Sequence, residues 1–80
     1  MVKLAQALAH VRAGRWEDAH QIAQSDDSPR GAWLHGILHI QEGDLPNAQY
    51  WYRRAGRPFP GGDALDDELA RFEAELTAAG

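Results

Sequence analysis

The segment Gly14-Arg15-Trp16-Glu17-Asp18-Ala19 aligns with Gly43-Asp44-Leu45-Pro46-Asn47-Ala48, 29 positions later, and each follows an apolar stretch that carries a histidine, His10 or His39. A short period of this kind means one supersecondary unit used twice. Neither copy buries its apolar face alone, so the units must stack. With only 80 residues, the stack has to be a single small domain near the size at which one core is only marginally sufficient.

Apolar spacing divides the chain into five helices. The first covers about residues 2–13 on Leu4, Leu8 and Val11, and the second about 16–24 on Trp16, Ala19, Ile22 and Ala23. Ser28-Pro29 is a strong start for the third helix, about 29–42, because serine caps the free N–H groups and proline in the first turn forfeits no hydrogen bond. Trp33, Leu34, Ile37, Leu38 and Ile40 surround that helix with apolar side chains, which predicts the buried centre of the fold. Asp44 is expected to cap a fourth helix ending near Gly56, and Arg57-Pro58-Phe59-Pro60-Gly61-Gly62 reads as a loop. Asp63 is expected to cap a fifth helix with Leu65, Leu69, Phe72 and Leu76 as a one-sided stripe. No strand pattern competes, so the fold class is all-α.

The second unit resembles a tetratricopeptide repeat. The resemblance rests on Gly36 where two helices touch, Gly43-Asp44-Leu45 at the turn, Ala48 and Ala55 flanking Tyr52, and Pro60 at the close; Trp51-Tyr52-Arg53-Arg54-Ala55 is also similar to the Sel-like repeats. Gly14, Trp16 and Ala19 carry the pattern in the first unit, with Ala7 in the place of Gly36. The 29-residue spacing, against 34 in the family, removes about one turn. The resemblance implies a right-handed stack of two hairpins, a shortened one over 1–27 and a second over 28–60, with a capping helix over 61–80. It also implies protein or peptide binding. Trp33, Ile37 and Ile40 match positions that line the family's concave groove. Trp51 joins them as a contact, with Arg30 and Gln41 as a polar rim. The fifth helix can fill this groove instead, and a second copy of the chain can cover it, giving a homodimer.

Composition narrows the other classes. The chain has no cysteine and a net charge of −4, which fits a reducing, cytoplasmic setting and leaves no thiolate site. No apolar run approaches a membrane span. Arg53, Arg54 and Arg57 form the one basic cluster, and six acids between Asp63 and Glu75 follow it, so nucleic acid is not an expected ligand. The acids and bases suit helix dipoles and can pair across a hairpin. Ser25, Ser28 and Thr77 sit at a loop, a cap and the chain end, and the pairs Asp26-Asp27 and Asp66-Asp67 lie in polar segments. Neither enzyme chemistry nor a cofactor is expected.

One constellation suits metal chemistry. His35, His39 and Glu42 fall within an arc of about 60° on the third helix at 100° per residue, and imidazoles four residues apart can share a divalent ion. The opposing expectation is structural, with His35 and His39 facing Asn47, Tyr50 or Tyr52 of the fourth helix and His10 repeating the role of His39. His20 reads as a surface residue without companions.

Overall fold

A computed structural model describes residues 3–79, in which five helices follow one another: α1 (Lys3–Arg12), α2 (Trp16–Gln24), α3 (Pro29–Glu42), α4 (Leu45–Ala55) and α5 (Leu65–Ala79). The described residues contain no strand. None of the helices is long and apolar enough to cross a membrane.

The boundaries follow local chemistry. Ser28 Oγ accepts from the Gly31 N–H at 3.1 Å, and Pro29 occupies the first turn of α3. Asp44 accepts from the Asn47 N–H at 3.4 Å and opens α4 in the same way. Gly43 ends α3 at φ 87°, a left-handed geometry that costs a residue with a Cβ. The fifth helix departs from expectation. It begins at Leu65, and the Ala64 carbonyl accepts its first helical bond from the Glu68 N–H at 2.8 Å. Asp63 therefore lies one residue upstream of the capping position.

The order of packing puts α3 at the centre. It contacts α2, α4 and α5, while α1 packs on α2 and α5. Every residue from Gly31 to Ile40 is buried. The closest approach is between α3 and α4. A Cβ on Gly36 would sit 2.6 Å from Tyr52 Cδ1, so the absence of a side chain there is what lets the two helices meet. Ala7, Ala19 and Ala48 are fully buried as well.

The apolar stripe of α5 covers the surface that sequence assigned to a partner. Phe72 is fully buried and meets the Trp33 ring edge-on at 5.0 Å. Leu69 is buried beside it, and Leu65 and Leu76 pack against the core edge. Burying a phenylalanine of this kind contributes about 1.5–3 kcal/mol. Trp33, Ile37 and Ile40 are 1%, 0% and 5% exposed. These three belong to the core and expose little surface for the partner expected from sequence, Trp33 forming part of a cleft wall.

One carboxylate fastens α5 over α3 and α4. Glu68 is buried, and its Oε1 accepts from Trp33 Nε1 at 3.0 Å and from the Tyr52 hydroxyl at 2.7 Å. Burial first, and the bond to Glu68 second, push the Tyr52 hydroxyl far above its usual value. The Arg57 guanidinium lies 3.5 Å above the Trp33 ring and bonds Glu75 at 3.3 Å. Arg30 also faces Glu75, at 3.5 Å, and Arg12 bonds Glu73 at 2.6 Å. Among the described residues, Arg57 makes the anticipated pairing with the acidic helix, whereas Arg54 bonds the Tyr50 hydroxyl.

Candidate metal centre

Positions 35 and 39 are one helical turn apart, so α3 presents both imidazoles on one face. The α1–α2 hairpin brings a third ring to that face. His20 Nε2 lies 3.0 Å from His35 Nε2. The His20, His35 and His39 rings offer three nitrogens that all lie within 4.8 Å of one another. His20 is the contributor from another helix that the sequence did not disclose, and its reading as a lone surface residue is corrected.

Aromatic packing fixes the rings. Trp16, four residues before His20 on α2, stacks on it at 4.7 Å with an 11° interplanar angle, and its indole N–H donates to the Leu38 carbonyl at 2.8 Å. Trp51 of α4 stacks on His35 at 3.9 Å and 12°. His35 and His39 stack at 4.9 Å. Two tryptophans thus hold two of the imidazoles in place before any ligand arrives. Glu42 positions the third, with its Oε1 2.5 Å from His39 Nδ1. That bond leaves His39 Nε2 as the nitrogen available for a metal, the arrangement in which a carboxylate orients a metal-binding imidazole.

The protonation states favour ligation. Burial first, then the neighbouring His20 and His39, lower the His35 imidazole to about 4. Burial and His39 also lower His20, against smaller opposing effects of Glu17 and Glu42. His35 is therefore neutral at pH 7, the form that binds metal. It is only 3% exposed, and its Nδ1 has no hydrogen-bond partner among the described residues. A buried unpaired nitrogen is costly, and native structures keep few of them. Three imidazoles suit zinc, copper or nickel; calcium and magnesium call for oxygen donors.

Several structural expectations for these histidines fail. Tyr52 turns to Glu68, Tyr50 to Arg54 and Asn47 to Asp44, so none of the three bonds His35 or His39. His10 accepts from Arg15 Nε at 3.0 Å in an exposed pair and does not repeat the role of His39. Glu42, proposed from sequence as a ligand, bonds His39. Asp44 comes within 4.8 Å of the ligand atoms of His39 and Glu42, where it also caps α4.

The remaining contact residues are scattered. Trp51 is half-buried behind His35, Gln41 is exposed, and Arg30 lines a cleft of ≈ 480 Å³ with Leu4, Trp33, Arg57 and Glu75 among its walls. Tyr50, 44% exposed, adjoins Trp51, and Arg54 lies 5.3 Å above the Trp51 ring. Comparison with protein-family models, curated proteins and solved structures gives no match for the chain.

Proposed function

We propose that this chain binds one divalent transition-metal ion of the zinc class through His20, His35 and His39. The reading rests above all on the Nε2 atoms of His20 and His35, which come from different helices and meet at 3.0 Å. In the metal-free protein a single proton bridges them. An ion with metal–nitrogen distances of 2.0–2.1 Å needs its ligands about 3.3 Å apart in a tetrahedron, so His20 and His35 need only a small outward shift, and His39, within 4.8 Å of them, completes the set by closing on the ion. Glu42 supports the reading by holding the outer nitrogen of His39. The same placement argues for binding rather than turnover, since that carboxylate sits across the ring from a metal on Nε2.

The scaffold in this proposal is a tetratricopeptide-like pair of hairpins with α5 as its cap. Its support is the Gly36–Tyr52 contact, the Asp44 turn and a first hairpin whose α2 has 9 residues against 11 in α4. A metal joining His20 to His35 and His39 would tie one hairpin to the other.

Calorimetric titration of the untagged protein with Zn²⁺ at neutral pH tests the function. Saturation at one ion per chain, lost in His20→Ala and His35→Ala, is expected. A flat titration contradicts it.

A second reading, a protein-interaction module, draws on the Tyr50, Trp51 and Arg54 cluster, because interfaces are rich in these residue types. Gln41 lies in the exposed last turn of α3 and would join the rim. A homodimer through this face requires Tyr50→Ala to shift the sedimentation profile toward monomer.

A further inference from the structure

We infer that the ion held by His20, His35 and His39 keeps a coordination position open for a small monodentate donor from outside the chain, an anion or an imidazole-type nitrogen. The inference rests on the metal-binding reading above and concerns what that site does once loaded.

Structural zinc sites close with four protein ligands, whereas a site with three protein ligands keeps water or an exogenous ligand in its fourth position. Among the described residues, the group that converges here contains three donors, all imidazoles. Glu42 is near enough to compete, but its Oε1 is committed to His39 Nδ1, on the side of that ring away from Nε2. Asp44 approaches His39 and Glu42 without joining His20 and His35. Glu17, one turn before His20 on α2, influences His20 electrostatically and is likewise outside the converging set. The nearby carboxylates therefore leave the fourth position unfilled.

Burial gives that position a direction. His35 and His39 are 3% and 5% exposed, whereas His20 is only partly buried. The more accessible His20 marks the side from which an outside donor would approach. The indoles of Trp16 and Trp51 stand against the faces of His20 and His35, which restricts the visitor to a small donor. With no such donor present, water completes the shell.

Cobalt substitution tests this, because the visible bands of Co²⁺ report both coordination number and ligand exchange. The full chain is loaded with one equivalent of Co²⁺ and titrated with azide, then separately with imidazole. The expected result is a four-coordinate spectrum whose bands move saturably with each probe in the parent protein. A one-to-one Co²⁺ spectrum that neither probe moves overturns the inference and leaves the binding proposal standing. Probe sensitivity that appears only in Glu42→Gln also overturns it, because Glu42 would then be the fourth ligand. Failure to bind Co²⁺ overturns the binding proposal, and this inference with it.

Discussion

Two buried polar clusters lie on different sides of α3, and they are built to different standards. On the α5 side, Glu68 receives donors from Trp33 and Tyr52, and Arg71 approaches its other oxygen at 3.8 Å. On the α2 side, three imidazoles crowd together, the Nε2 atoms of two must share a proton, and His35 Nδ1 has no partner among the described residues. A satisfied buried network holds a fold together, whereas a partly satisfied one costs stability. The contrast marks the Glu68 cluster as structural and supports the proposal that the histidine cluster takes a ligand.

The largest expected effect breaks the satisfied side. Glu68→Ala strands the Trp33 and Tyr52 donors in the core and should destabilise the protein by about 3 kcal/mol, at 1–3 kcal/mol per unsatisfied group. Urea denaturation measures this. A loss below about 1 kcal/mol would show that α5 is held by its apolar stripe alone.

Acid should find the histidine side. In the unfolded chain His35 takes its proton near 6.5; in the folded chain, burial with His20 and His39 beside it holds protonation off to about 4. Between these values the unfolded chain binds more protons, so stability is level above about pH 6.5 and falls as pH drops toward 4. The decline should reach roughly 2–3 kcal/mol, with His39, Glu17 and Glu42 as the other titratable groups facing the lowered imidazoles. Denaturation curves from pH 7.5 to 4 compare the parent with His35→Leu, in which the slope should flatten.

A smaller effect probes the α3–α4 seam that carries both clusters. Gly36→Ala drives a methyl into the Tyr52 ring and should cost about 1–3 kcal/mol through overpacking. A thermal melt unchanged from the parent would mean that the helices separate freely.

The smallest effect is the sharpest for the comparison. His35→Leu removes a buried imidazole that lacks one partner, and without metal it should be neutral or stabilising by up to about 1 kcal/mol. The equivalent apolar replacement of Glu68 has no such tolerance. If His35→Leu instead destabilises the metal-free protein by several kcal/mol, the two clusters are alike and both are structural.

The helices and most of their ends, the start of α5 excepted, were legible in the sequence because their causes are local. Ser28, Asp44 and Gly43 act within a few residues, and the stripe on α3 needs only its own periodicity. The failures are failures of tertiary arrangement. Trp33, Ile37 and Ile40 suit a groove or a core equally well, and only the path of α5 decides between them. His20 is separated from His35 by a loop, and no spacing rule joins residues across it. The one local sign was Trp16 at four residues' distance, positioned to stack on His20 and hold the ring.

Metal binding at the histidine cluster is tested most directly by a paired measurement, the thermal midpoint of untagged parent and His35→Leu with and without excess Zn²⁺ at pH 7. Ligand binding to the folded state alone raises stability by about 2.7 kcal/mol at a hundred times the dissociation constant. The account predicts a clear upward shift in the parent and none in His35→Leu. Equal midpoints with and without Zn²⁺ in the parent, or an equal rise in both proteins, would contradict it.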